Sequence, residues 1–439
     1  MGFFDKIKSL IGAKKEDASV IVHEEAAQPA TQISKEYMGF SAVHTGANLT
    51  KKGMDCRDRV ETTIEADLQI LAIADGHFGK DHPRSDRGAD FACKAVQAAL
   101  RKFAATYSGT VLEDERKRYE AMLLMCRDLI LQWHALVEVD AANLPFTEEE
   151  LDAVSSAYKN EYAEGKQIEH AYRASVVALM CTGEYTISIG IGDGTAVIID
   201  RNGKLHTAIE MLEKREAPAA LSDHNAIMDF RFDYTTELPA AAFVANGSVV
   251  RCYPKTEVVY TLCSSICTEA AENGEEMAKT KMMELMPVLA EKGNRDDAAM
   301  AALMDRAALP MIQEKLMFFL AYHKNLRDVE EVRRRLARIN RTIRERQKAL
   351  EVAQTRASDS RTEMERLESW TITGIELSEE EMTALREGID TFEERINLLT
   401  NELEALQREK EEASLQMADL LAQLAKDEAR IAEENEVKQ

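Results

Sequence analysis

From Val329 to Ile431 apolar residues return every third or fourth position, a spacing that commits the last third of the chain to long helix. Val329, Val332, Leu336, Ile339, Ile343, Leu350, Ala353, Ala357, Met364 and Leu367 form one seam. Ile389, Phe392, Ile396, Leu399, Leu403, Leu406, Ala413, Met417, Leu420, Leu424 and Ile431 form a second. Between them, Trp370 to Ser378 is rich in Thr, Gly and β-branched residues, and Ser378 with Glu381 has the spacing of a capping box. Two antiparallel helices folded into a coiled-coil hairpin satisfy both seams. A parallel intermolecular coiled coil is the alternative.

The first 307 residues carry a different signal. Leu68 to Ala74 is an apolar run long enough for one buried strand, and it stops at Asp75-Gly76-His77. From Ser85 a helix is predicted, with Ala89, Ala92, Cys93, Val96, Ala99 and Leu100 on one face. A carboxylate at a strand end is rigidly held yet open to solvent, as a metal or hydrolytic site requires. Further helices are predicted over Leu112 to Val139 and Leu144 to Tyr162. Strands are predicted at Gly39 to Gly46, Ala174 to Cys181, Tyr185 to Ile191, Thr195 to Ile199, Ile227 to Tyr234, Ala242 to Val250, Glu257 to Cys263 and Ala298 to Leu303, with a helix at Glu275 to Leu289. Gly192-Asp193-Gly194 and Asn202-Gly203 read as hairpin turns, which makes the sheet antiparallel and the class α+β.

The net charge of −23 excludes a nucleic-acid-binding surface, which needs clustered Lys and Arg in the globular part. Seven cysteines scattered through apolar segments read as reduced thiols of a cytoplasmic chain. No stretch approaches the ~20 apolar residues of a membrane span. Residues 1–15, with Phe3, Phe4, Ile7, Leu10 and Ile11 near one face and four lysines, form a short amphipathic helix suited to weak membrane-surface contact or to docking on the protein itself. The expected organisation is that helix, a linker over 16–35, a catalytic-type domain over 36–307 and a helical coiled-coil region over 308–439.

Taken together, the polar loop with Arg57-Asp58, the ADGH of Ala74 to His77 followed by RSDRGADFA (Arg84 to Ala92), the IGDG of Ile191 to Gly194 and the NRDDAAM of Asn294 to Met300 resemble the metal-dependent PPM-type (phosphatase 2C-like) Ser/Thr protein phosphatases, bacterial branch. The resemblance covers Gly39 to Leu303. It implies an α-β-β-α sandwich, two antiparallel sheets flanked by helices, and two Mn²⁺ or Mg²⁺ ions that activate water against a phosphorylated protein substrate. By position, Asp75 bridges the ions, Gly76 offers its carbonyl, Asp296 and Asp193 are further metal ligands, and His77 protonates the leaving group. The loop's Lys52 and Arg57 are candidate phosphate contacts. The coiled coil implies a helical partner or a homo-oligomer.

Two departures stand out. Arg57 occupies the place of a carboxylate or amide, and the Ser/Thr-Asp-Gly expected after a buried strand is read at Ser264-Ser265-Ile266, with Ser265 at the aspartate. A hydroxyl carries no charge to offset a divalent ion, so a pseudophosphatase or scaffold is the alternative function.

Overall fold

The computed structural model describes residues 36–210, 218–251, 256–372 and 378–436; the amphipathic segment 1–15, the linker 16–35 and most of the inter-helix stretch lie outside them. Ten strands build two antiparallel five-stranded sheets. One runs β1 (Tyr37–His44), β10 (Ala298–Asp305), β9 (Ala241–Ala245), β6 (Thr195–Ile199) and β7 (Leu205–Ile209). The other runs β2 (Arg59–Ile64), β3 (Leu68–Gly76), β4 (Ala174–Thr182), β5 (Thr186–Ile191) and β8 (Arg231–Thr235).

The sheets stack face to face because their central strands are apolar on both sides. In β3, Leu71 and Ile73 point to the other sheet while Ile70, Ala72 and Ala74 point to the helical layer. In β10, Ala299, Ala301 and Leu303 enter the inter-sheet core; Ala298, Met300, Ala302 and Met304 face the opposite helices. Period-two alternation with both faces buried marks a strand at the centre of a layered sandwich. Helices Ser85–Thr106 and Glu115–Asn143 cover one sheet, and Thr256–Asn273 and Glu275–Lys292 cover the other. This is the α-β-β-α sandwich that the resemblance implied.

Several sequence expectations are corrected: Ile227 to Tyr234 opens as the helical turn Ala226–Asp229 before β8, the strand read over Ala242 to Val250 stops at Ala245 ahead of the helix Gly247–Arg251, and Leu144 to Tyr162 holds two short helices, Glu148–Ala153 and Ser156–Ala163. Glu257 to Cys263 is not a strand: it lies in the helix Thr256–Asn273. Its β-branched run masked the helical spacing of Tyr260, Cys263, Ile266, Cys267 and Ala270, all buried against the sheet. Gly192-Asp193-Gly194 is not a hairpin turn either, because β5 and β6 belong to different sheets. It carries the chain across the end of the sandwich, with Gly192 at φ +102°, a conformation that favours glycine. Asn202-Gly203 does join paired neighbours, β6 and β7.

Beyond β10 the helices Leu309–Ile372 and Glu379–Glu436 form an antiparallel arm. Leu309, Ile312 and Leu316 root it beside Tyr260 and Cys263 on the covering helix. Farther out Val332, Ile339 and Ile343 meet Leu403 and Ala413. Arg335 pairs with Glu409 at 2.9 Å, Arg346 with Glu402 at 2.8 Å, and Arg361 with Glu393. These half-exposed ion pairs fix register more than they add stability. At 1.5 Å per residue the first helix extends about 95 Å. No helix among the described residues is long and apolar enough to cross a membrane.

Candidate active site

Five segments meet at one end of the sandwich: the loop before β2, the end of β3, the turn after β5, the loop that follows β9 and the loop that precedes β10. The anchor is Asp297. Its side chain is buried and accepts from the backbone N–H of Gly46 at 2.8 Å and of Arg57 at 2.6 Å, tying the late motif to the first polar loop. Asp58 beside it is 3% exposed. Burial, and then the charges of Asp75, Asp297 and Asp296, push the Asp58 carboxyl well above the usual carboxylate range; a hydrogen bond from Asn246 opposes them.

Asp75, Ser175, Asp193, Asn246 and Gly247 line a cavity of about 10 Å³, room for one water. Gly247 is there by necessity: a Cβ would lie 2.2 Å from Asp193 Oδ2. Asp75, Gly76, Asp193 and Asp296 lie at this end of the sandwich, together with Asp58, Asn246 and Asp297.

Arg57 does not project a cation among the carboxylates. Its guanidinium donates to Ser85 Oγ at 2.8 Å and to the His82 carbonyl at 3.2 Å, at the start of the covering helix. Burial lowers its pKa, while Asp86, Asp297 and Asp296 oppose that. Lys52 is exposed, with Nζ 4.3 Å from the centre of the Phe78 ring, and Arg57 lies 5.5 Å from the same ring. Lys52 and Arg57 thus meet one aromatic ring, and the loop that carries both is tied to Asp297 through the N–H groups of Gly46 and Arg57.

His77, which the resemblance casts as the residue that protonates the leaving group, is held as a neutral ring. Its Nδ1 accepts from Arg173 Nε at 3.0 Å, and Arg173 is held by Asp223, by the Pro218 carbonyl at 2.9 Å and by Ser222 Oγ at 3.4 Å. Burial first, and Arg173 second, push the imidazole down to about 3. Arginine only donates, so the neutral ring carries its proton on Nε2. That atom is buried without a hydrogen-bond partner among the described residues. A proton held there is a weak acid's proton, unlike that of an imidazolium.

Ser265 lies outside the site. It sits in a helix and returns its hydroxyl to the Leu262 carbonyl at 2.8 Å. The residue that follows a buried central strand and precedes a glycine is Asn246, after β9. The signal was present in Val244-Ala245-Asn246-Gly247, where an apolar run ends in Asn-Gly, but it reads equally as an ordinary turn.

A two-metal centre needs hard anionic oxygens in excess. Among the described residues no group of three or more His, Cys, Asp or Glu is disposed to hold a metal ion. Asp297 is committed to two backbone N–H groups, Asp58 to Asn246, and Arg57 to Ser85. The side chains do not fit a pair of divalent ions.

The Protein phosphatase 2C family model matches residues 45–245. No curated protein matches the chain. Among solved structures, PppA of Pseudomonas aeruginosa, described as a key regulatory component of T6SS, is 13% identical, with 61% of this chain and 97% of that one covered at a TM-score of 0.37. The Ser/Thr phosphatase Stp1 of Staphylococcus aureus is 11% identical, with 64% and 99% covered at 0.37. The catalytic domain of PstP, in complex with two manganese ions, is 14% identical, with 61% and 97% covered at 0.36. Residues 45–245 are thus similar to the Protein phosphatase 2C family, and the globular part that contains them resembles the PPM-type Ser/Thr phosphatases.

Proposed function

We propose that the chain recognises phosphoserine- or phosphothreonine-bearing protein segments at this end of the sandwich, through a phosphatase-type site whose ligands for two metal ions are depleted. The observation that carries the reading is the exposed Lys52, set beside Phe78 in a loop whose two ends are hydrogen-bonded to Asp297. Bare aspartates repel a phosphoryl dianion, but here Asp297 is offset by two N–H groups and Asp58 by an amide. Lys52 stands exposed in the loop between Gly46 and Arg57, and phosphate oxygens take charge-assisted hydrogen bonds from such a group. Phe78, 44% exposed, offers a flat apolar surface to the residues flanking the phosphate.

Hydrolysis by a metal-activated water is the second reading, favoured by the presence of Asp75, Asp193 and Asp296 together at the site. One experiment separates the two. A phosphothreonine peptide and its unphosphorylated twin are titrated into the full chain, and phosphate release is followed with Mn²⁺ beside Asp75→Asn. The proposal expects saturable, phosphate-dependent binding, and release no faster than in the variant. Mn²⁺-dependent release that Asp75→Asn abolishes selects hydrolysis, and equal affinity for both peptides removes phosphate recognition. Lys52→Ala is expected to weaken peptide binding about tenfold, the size of one charge-assisted contact of ~1.4 kcal/mol. An unchanged affinity would take Lys52 out of the site.

The arm is assigned to a protein partner or a second copy. Its seams are consumed within the hairpin, so association would use the outer faces.

A further inference from the structure

We propose that Asn246 stands in for a divalent cation at this centre, and that the single change Asn246→Asp converts the site into one that binds Mn²⁺ or Mg²⁺. The inference rests on reading this end of the sandwich as the phosphatase-type centre.

Asn246 follows β9 directly and is 2% exposed. Both protons of its amide are used: Nδ2 donates to Asp58 Oδ2 at 2.6 Å and to the Asp297 carbonyl at 2.8 Å. Its Oδ1 accepts from Val249 N at 3.2 Å and Ala299 N at 3.3 Å. The orientation of the amide is forced. Rotating it by half a turn would set the oxygen against a carboxylate and a carbonyl, and the NH₂ against two backbone N–H groups, four repulsive contacts in place of four bonds.

The only side-chain atom of Asn246 able to ligate a hard cation is therefore turned away from the centre. The side facing the aspartates presents positive hydrogens, the polarity that a metal ion would otherwise supply. Asp58 is 188 residues away in sequence and is satisfied by that amide. Arg57 supports the same reading, because its guanidinium is anchored on Ser85 and offers no ligand.

Aspartate is nearly isosteric with asparagine, so Asn246→Asp changes the charge while preserving the shape. One new oxygen keeps the N–H groups of Val249 and Ala299. The other faces Asp58 Oδ2 at the present donor distance, and two carboxyl oxygens so close hold either a shared proton or a cation between them, a choice that a divalent ion wins by binding both as carboxylates. Asp75 and Asp296, whose charges already act on Asp58, are the adjoining carboxylates.

The test is calorimetric titration of the full chain with MnCl₂ and with MgCl₂, alongside thermal denaturation with and without each metal, for the natural sequence, Asn246→Asp and Asn246→Asp/Asp75→Asn. The natural chain is expected to give no saturable Mn²⁺ heat and no metal-dependent shift in Tm. Asn246→Asp is expected to gain saturable binding at least tenfold tighter than any residual affinity, with a Tm raised by metal, and the double variant to lose most of it. Micromolar Mn²⁺ binding by the natural chain overturns the proposal even where the variant fails to fold. A folded Asn246→Asp chain that gains no metal affinity overturns it as well. Phosphopeptide binding is read separately, so its failure counts against the proposed function and leaves the metal result standing.

Discussion

Replacing Asp297 by alanine is expected to destabilise the sandwich by about 3–5 kcal/mol, a large part of the ~5–15 kcal/mol typical of a domain. The mechanism is local and countable. Asp297 is 3% exposed and is the acceptor for the Gly46 and Arg57 backbone N–H groups, which alanine leaves buried and unpaired. Each such donor costs ~1–3 kcal/mol, and the bonds lost are charge-assisted. An opposing effect works through Asp58, whose carboxyl is disfavoured by the Asp297 charge and is relieved by its removal. The hydrogen bonds win because two are lost at short range while the repulsion acts on a carboxyl already shifted toward its neutral form. Asp297→Asn keeps one acceptor oxygen and turns an NH₂ on the second donor, so a smaller loss of about 2 kcal/mol is expected. Urea denaturation of the three chains provides the check. A loss below ~1 kcal/mol for alanine would show that the two loops are held by something other than this carboxylate.

Arg84 is the second position where a large effect is expected. It is 4% exposed, and all five of its N–H protons are placed: Nε and Nη2 on Glu150 at 2.7 and 2.8 Å, Nη1 on the Leu144 carbonyl at 2.6 Å and Tyr172 OH at 2.8 Å, and Nη2 on the Pro145 carbonyl at 3.0 Å. The guanidinium also lies 4.0 Å from the centre of the Phe146 ring. It fastens the start of the helix behind the Asp75 strand to the helical layer. Arg84→Ala leaves four acceptor groups without their donor and is expected to cost about 3–5 kcal/mol; Arg84→Lys, with three donors and no planar fork, is expected to recover less than half.

The Arg84 effect carries a pH signature. The Arg84 hydrogen bonds hold the Glu150 carboxyl below its ordinary value of 4.5, despite partial burial. A depressed carboxylate stabilises the fold fully above its unfolded pKa and loses that contribution as pH falls through the folded one. The gap between the natural chain and Arg84→Ala should therefore narrow as pH drops below 4.5. A gap that is constant from neutral to acid pH would place the loss in packing on Phe146 and Tyr172.

The site divides into what local pattern reveals and what it hides. Asp75 was legible because it closes an apolar run, where a strand end is visible, and Asp193 and Asp296 were legible through the IGDG and NRDDAAM motifs of the resemblance. Asp58 was visible as a letter in a polar loop, but its burial was not, since loop residues carry no periodicity. Asn246 was hidden by a competing pattern. The continuous β-branched stretch before Cys263 resembled a buried strand more than Ala241–Ala245 did, and the expected aspartate was placed after it, at Ser265. His77 was found as a residue and missed as a chemical state. Its tautomer depends on Arg173, which is itself fixed by Asp223, and no spacing within the chain joins these three.

Sequence alone determined the buried central strands, because a continuous apolar run records burial on both faces, and the arm, because a 3–4 spacing records one buried stripe; the stacking of two sheets came from the resemblance. Only the tertiary structure decided that Gly192–Gly194 bridges two sheets, that Asn246 faces Asp58, and that Arg57 turns to Ser85. Periodicity registers that a side chain is buried and never against which partner. Electrostatic character at a site depends on the partner, supplied here from residues up to 251 positions away.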